Sequence, residues 1–297
     1  MRYRVRHVTL YAYAKPVDLA SHMLHLTPRV LPWQAVRSAS LRATPMPSRV
    51  TGSEDHFGNH TTLMFLDLPH KSFEVTVEAE VDVDVPPPPP AAATPPWEQV
   101  VAGLRAGARG VSWQAAEFTF DSPLAPADRA AGLYARHSFP PGRPVLAGLL
   151  DLNARIRRDF AFRTDVTTIV TPVARVLAQR AGVCQDFTHV MVAGLRALGL
   201  PARYVSGYLR TRPPPGQVAR RGADQSHAWV GAWLGPEHGW IDLDPTNDLV
   251  VRDEHVVLAW GRDYGDISPV RGVILGGGEH TVKVAVDLEP VVAAGAT

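Results

Sequence analysis

The chain opens with polar and apolar residues alternating at period two, in YRVRHVTLYAY from Tyr3 to Tyr13 and again in SFEVTVEAEVDVDV from Ser72 to Val85. Such alternation sets one face of a strand in a core and leaves the other in solvent. Between them HFGNHTTLMFLDL, 56–68, places Gly58-Asn59 as a turn before an apolar run. About six short strands separated by turn residues predict an N-terminal antiparallel β-sandwich domain over residues 1–85. PPPPPAAATPP, Pro86 to Pro96, can neither pair in a sheet nor continue a helix, and it predicts a stiff linker.

Past the linker the apolar spacing lengthens to three and four. WEQVVAGLRAG, SPLAPADRAAGLYARHS and RPVLAGLLDLNARIRRDF read as helices, the last with Val145, Leu149, Leu152 and Ile156 on one face. Thr171 to Gly182 reads as a further helix, capped by Thr171, with Pro172 in its first turn and Gly182 at its end. In CQDFTHVMVAGLRALG, Phe187, Val190, Met191, Leu195 and Leu198 mark a helix that closes at Gly199-Leu200-Pro201. Strand signals return in ARYVSGYLR, HAWVGAWL, GWIDLD, VILGG and HTVKVAVDL. Helices followed by strands give an α+β second domain, residues 97–297, with helices packed on an antiparallel sheet. The glycines at 276–278 have no helix after them and read as a hairpin turn rather than a phosphate loop.

Composition narrows the function classes. Across 297 residues, 30 Lys and Arg against 29 Asp and Glu leave a net charge of +1, so no electrostatic case exists for nucleic acid or an anionic membrane. The N-terminus lacks the continuous apolar stretch of a signal peptide, and no apolar run approaches the roughly 18 residues of a membrane span. A single cysteine, Cys184, excludes an intrachain disulfide. Together these predict a soluble, cytoplasmic protein whose partner is a small-molecule, peptide or protein substrate. Oligomeric state carries no signal.

Cys184 falls in or just before the first turn of its helix. Unpaired N–H groups and the positive end of the helix dipole favour a thiolate there, the nucleophilic form. The bland alternative is a small buried hydrophobe. A nucleophilic thiol needs a base and the base an orienting group. His189, five residues along the same helix, points away from Cys184 and reads as a packed or capping side chain. SHAWVGAWLGPEHGWIDLDPTND, 226–248, reads instead as a hairpin with a four-residue connection, LGPE. Pairing Trp233 with His238 puts His227 directly across from Asp244 and leaves Asp242 as a diagonal neighbour. Both aspartates share the face of His227, and distance favours Asp244. A plain core hairpin explains the tryptophans but not the histidine facing a carboxylate.

GVCQDFTHV, LRALGLPARYVSGYL, SHAWVGAW and GWIDLDPTND, in that order, resemble the core of bacterial transglutaminase-like proteins of the papain-like cysteine protease superfamily. The first 85 residues and GRDYGDISPVRGV resemble those proteins too. The resemblance implies a papain-like core, with Cys184 as nucleophile, His227 as base and later acid, and Asp244 as orienting group. It implies attack on a peptide or glutamine amide through a thioester, resolved by water or by an amine, without cofactor or metal. Gly231 departs from the pattern, which carries Glu after HAWV. The Cys184 N–H is one oxyanion donor, and RTDVTTIV does not single out a second.

Three rivals remain. A metal site could draw on Cys184, Asp186, His189, His227 and His238, although structural zinc favours paired cysteines. A serine hydrolase lacks its G-x-S-x-G turn. A catalytically silent peptide-binding or assembly module is the rival from another class, with all three residues of the expected triad arguing against it. Arg210 to Gln225, just before His227, reads as a loop that gates access.

Overall fold

The computed structural model describes residues 1–107, 113–211 and 225–291. The fold is α+β, with an N-terminal β region followed by helices packed on an antiparallel sheet. Its first strands are β1 (Arg2–Leu24), β2 (Gln34–Thr44), β3 (Arg49–Glu54), β4 (His60–Leu66) and β5 (His70–Val83). Six helices follow among the described residues: α1 (Trp97–Arg105), α2 (Trp113–Glu117), α3 (Arg129–Arg136), α4 (Val145–Asp159), α5 (Val173–Gln179) and α6 (Cys184–Ala197). Short β6 (Ala161–Phe162) and β7 (Ala181–Gly182) pair in parallel on either side of α5. The chain ends in β8 (Ala202–Leu209), β9 (Gln225–Trp233), β10 (Trp240–Asp244), β11 (Leu249–Val250), β12 (His255–Gly261), β13 (Val270–Gly276) and β14 (His280–Pro290).

The alternation seen in the sequence is the alternation buried: Tyr3, Val5, His7 and Thr9 face inward along β1 while Arg2, Arg4 and Arg6 face out. β1 bends after Ala12, and the strands beside it break at the same level. β5 pairs with its first half and β4 with its second; β2 and β3 repeat the arrangement one strand further out. The sheet therefore doubles over, and Phe73, Val75 and Val77 pack against Ala20, Leu24, Met64 and Leu66 across the fold.

The opposite flank of β1 is a correction to the expected 97–297 domain. β13 and β14, read there as a hairpin, run end to end along β1, with Val270 across from Leu24 and Pro290 across from Tyr3. Gly276, Gly277 and Gly278 all take positive φ, which only glycine adopts freely. They carry the C-terminal strand around the bend of β1, where the Gly277 N–H donates to the Pro16 carbonyl at 2.9 Å. A glycine run between two strand patterns reads equally as a hairpin or as a kink, and the partner strand lies at the far end of the sequence.

Two smaller differences occur near the helices. The linker is not wholly extended, because Ala91–Ala93 form one 3-10 turn. α5 stops at Gln179 with Arg180 at φ 51°, and Gly182 belongs to β7.

The second sheet has the order β11-β10-β9-β8-β12. One of its faces, carrying Val230, Ala232, Ile241 and Leu243, packs beneath α6 through Val190, Met191 and Leu195. Its outer strand β12 would expose unpaired backbone groups, and two buried side-chain amides from the N-terminal region cover them. Gln34 donates to the Val257 carbonyl and accepts from its N–H, both at 2.8 Å. Asn59 does the same for Trp260, at 2.8 and 2.9 Å. Tyr3, Val81 and Leu288 close the junction against Tyr208, Val256 and Leu258.

Candidate active site

Cys184 is the first residue of α6, half-buried beside Tyr204, Ala228, Ala259 and Ile267. The turn that presents it is pinned by Asp186, whose Oδ2 accepts from the Val183 N–H at 2.8 Å and from Thr167 Oγ1 at 2.7 Å. Burial opposes the ionised form of Asp186 and raises its pKa, while those two hydrogen bonds pull the other way. A Cβ at position 182 would lie 2.6 Å from the same Oδ2, so Gly182 is there to admit the carboxylate. Its contribution is space for this carboxylate, not the helix end read from the sequence. Gln185 donates to the Ile169 carbonyl at 3.0 Å, which holds residues 167–169 against the turn. The leading N–H groups of α6 have no intrahelical acceptor and remain available to a ligand.

Further along α6, two residues anchor the loop between β12 and β13. His189 Nε2 accepts from the Tyr264 N–H at 3.3 Å. Burial lowers the His189 pKa to about 4 and keeps the ring neutral, in keeping with a packing role. Arg196, also buried, donates to the Phe118, Ala125, Ala202 and Arg262 carbonyls and to Ser122 Oγ.

The hairpin of β9 and β10 has the expected strands in a different register. Trp233 pairs with Trp240, not with His238, because the connection spans Leu234 to Gly239. It is closed by the Leu234 N–H on the Gly239 carbonyl, with Gly235 and Gly239 at positive φ. The slip is two residues, so parity and face are preserved. Leu243 lies across from Val230, which leaves Asp244 diagonal to His227 and moves Asp242 opposite Gly231.

The diagonal pair is nevertheless in contact. His227 Nε2 and Asp244 Oδ2 are 2.8 Å apart, both buried. Asp244 is fixed by the turn it begins: Oδ1 accepts from the Thr246 N–H at 2.9 Å, and Oδ2 from Asn247 Nδ2 at 2.7 Å. Against its own burial, these partners hold the Asp244 carboxyl well below the usual carboxylate range. His227 Nδ1 takes no hydrogen bond from nitrogen or oxygen, and the Cys184 thiol stands beside the ring. Burial works against the charged imidazolium, but Asp244 and Cys184 outweigh it and push the His227 pKa up to about 10. The three residues singled out in the sequence thus meet at one point.

Sequence reasoning missed His255. At the start of β12, its Nε2 lies 3.5 Å from Asp244 Oδ2, and its ring meets Trp229 edge-on at 5.2 Å. Only the pairing of β12 with β8 brings it there, and no local pattern signals that. His227, Asp244 and His255 place one ligand-type atom each within 4.8 Å of one another. An ion held there would compete with the hydrogen bond that positions His227. The other candidate ligands do not join them: Asp186 and His189 are engaged as described, and His238 lies half-buried beside the Ala93 carbonyl. The loop read as a gate lies, over 212–224, outside the described residues.

Gly231 also has a structural reason. The Arg203 side chain crosses the sheet over it, and a Cβ there would lie 2.5 Å from Arg203 Nε.

Residues 3–82 match the model of the bacterial transglutaminase-like N-terminal region, and residues 142–245 that of the transglutaminase-like superfamily. An uncharacterised protein of Mycobacterium tuberculosis (strain ATCC 25618 / H37Rv) is 41% identical over 296 residues, covering 97% of this chain and 93% of its own. One from Mycobacterium leprae is 30% identical over 287 residues, covering 97% and 98%. The protein-glutamine gamma-glutamyltransferase of Pseudomonas aeruginosa is 41% identical over 100 residues, 31% of this chain and 15% of that one. In fold, the chain is similar to a Cytophaga hutchinsonii protein solved as a candidate cysteine protease, with a TM-score of 0.77 and 20% identity over 100% of this chain and 92% of that one. By motif order and by both family models, with relatives alike over nearly the whole chain, it belongs to the bacterial transglutaminase-like proteins.

Proposed function

We propose that the protein is a cysteine-dependent amide hydrolase or acyltransferase acting on peptide or glutamine amides, with Cys184, His227 and Asp244 as its catalytic residues. One observation carries this reading: the His227 imidazole lies between a buried carboxylate at 2.8 Å and the one thiol in the chain. Aspartate and histidine pairs also occur as plain structural links. The thiol at a helix N-terminus is what a structural link would not require.

In the proposed reaction the Cys184 thiol passes its proton to His227, and sulfur attacks the amide carbonyl. The developing oxyanion meets the free N–H groups at the start of α6. As the carbon–nitrogen bond breaks, His227 returns the proton to the departing amine or ammonia, leaving a thioester on Cys184. Water or a second amine, deprotonated by His227, then attacks the thioester and restores the thiol. Water makes the protein an amidase or protease, and an amine makes it a transglutaminase. Asp244 holds the imidazole in place and favours its charged form.

The test is ammonia release from glutamine-containing peptides, with and without a fluorescent primary amine, for the wild type and Cys184→Ala. Wild-type turnover lost in the variant supports the reading, and amine incorporation separates transfer from hydrolysis. No turnover, together with no thioester adduct by mass spectrometry, would overturn it in favour of a silent peptide-binding module.

A further inference from the structure

A cavity of about 580 Å3 lies between the N-terminal region and the second sheet, and it is lined by neither Cys184, His227 nor Asp244. Its volume falls in the range of small-molecule sites. Its walls include Trp33, Trp240 and Trp260, and its charged lining includes two arginines, Arg29 and Arg203. Both guanidinium groups sit over Trp260, at 3.6 and 3.8 Å from the ring centre, and Arg203 also covers Trp240 at 4.4 Å.

Each of these two cations keeps a buried Nε without a partner. Arg203 is buried and its Nε has no partner, while Nη2 makes a long hydrogen bond and ion pair to Asp242 Oδ1 at 3.5 Å. The other Asp242 oxygen is taken by the Trp229 indole at 3.0 Å. Arg29 Nε is likewise buried and unpartnered, and Nη1 is turned to the Phe57 carbonyl and Asn59. Asp55 stands near but is occupied: Oδ1 accepts from the Phe57 and Asn59 N–H groups, and Oδ2 faces Asn59 Nδ2 and His25. Glu117 is paired with His56 at 2.7 Å, which leaves Glu54 as the remaining carboxylate of the lining, on the exposed end of β3. Arg29 and Arg203 also repel each other. Burying like charges side by side is costly unless an anion joins them, and the indole walls would cover a flat or apolar body attached to it.

We propose that this cavity binds a carboxylate carried on an apolar or aromatic body, such as the C-terminal residue of a peptide, with the carboxylate on Arg29 and Arg203. Bidentate carboxylate recognition is the natural use of a guanidinium. The site is independent of catalysis at Cys184.

The experiment is a titration of the full-length protein with N-acetylphenylalanine and with its amide, followed by calorimetry and tryptophan fluorescence. The two probes differ only in the charged group, so the wild type alone decides the main point. At least tenfold tighter binding of the acid, retained in Cys184→Ala and weakened at least tenfold by Arg29→Gln, is the expected result, with Arg29→Lys between. Equal affinity for acid and amide, or no saturable binding of the acid in the millimolar range, would overturn the proposal. Loss of acid binding in Cys184→Ala would also overturn it, by placing the ligand at the thiol instead. Because Cys184→Ala abolishes turnover under the proposed function, binding that survives it would stand even if that function failed.

Discussion

His227 and Asp244 are joined by a 2.8 Å hydrogen bond although their strands do not pair them: one lies near the start of β9, the other at the end of β10, on a diagonal. The contact exists because the chain turns at Asp244 and the Thr246 and Asn247 amides aim its carboxylate back toward the ring. Asp244→Asn keeps the shape but loses the charge that favours the imidazolium. Turnover of an amide substrate should fall by roughly 10²–10⁴-fold, the usual worth of positioned acid–base catalysis. Alkylation of Cys184 by iodoacetamide at neutral pH should slow in parallel, and more so in His227→Ala. An alkylation profile across pH 4 to 10 that is the same in all three proteins would show that Cys184 reacts as an isolated thiol.

The same pair makes stability depend on pH in two opposite senses. The His227 pKa is raised to about 10, so its contribution is complete below the unfolded value near 6.5 and is lost as pH climbs toward 10. The Asp244 pKa is depressed, so its contribution is present above the unfolded value near 3.9 and is lost in acid. Urea midpoints of wild type and His227→Gln should therefore converge as pH rises from about 6.5 to 10. A gap that widens over that interval would contradict the raised imidazole pKa.

Gly182→Ala drives a methyl group into Asp186 Oδ2. Overpacking of this kind costs about 1–3 kcal/mol, and here it also disturbs the turn that presents Cys184. The expected outcome is a lower melting temperature together with slower alkylation. Asp186→Asn, which keeps the volume and an acceptor oxygen for the Val183 N–H and Thr167, removes the buried charge without the steric penalty. Unchanged alkylation in both would separate this carboxylate from the thiol.

Gln34→Leu and Asn59→Leu each strip a paired donor and acceptor from the edge of β12. Each leaves buried backbone groups unmet, at about 1–3 kcal/mol. Hydrogen exchange should rise first at Val257 in one variant and at Trp260 in the other, which locates the loss at the named amides.

Much of the site is local, and local features were legible. α6 follows from the spacing of Phe187, Val190, Met191 and Leu195, and Cys184 falls at its start. His227 meets Asp244 and not Asp242 although the register differs by two: the shift keeps both aspartates on the face of His227 and places Asp242 farther away, opposite Gly231. What remained hidden depends on residues distant in sequence. His255 reaches Asp244 through β12 pairing with β8, and Arg203 lies over Gly231 by crossing between strands. The C-terminal strands read correctly as strands, but their partner is β1, and nothing in their own pattern names it.

That last pairing constrains how the molecule assembles. β1 is hydrogen-bonded along one flank by β4 and β5, soon after it in the chain, and along the other by β13 and β14, which come after the whole core in the sequence. During synthesis the first strand must therefore wait, half-zipped and with an open edge, until the whole core has left the ribosome. Such long-range closure slows folding and leaves a strand edge exposed to other chains meanwhile. The six C-terminal residues of β14 across from Tyr3 to Val8 thus act as the latch of the fold, and deleting 280–297 should turn a slow folder into an aggregating one.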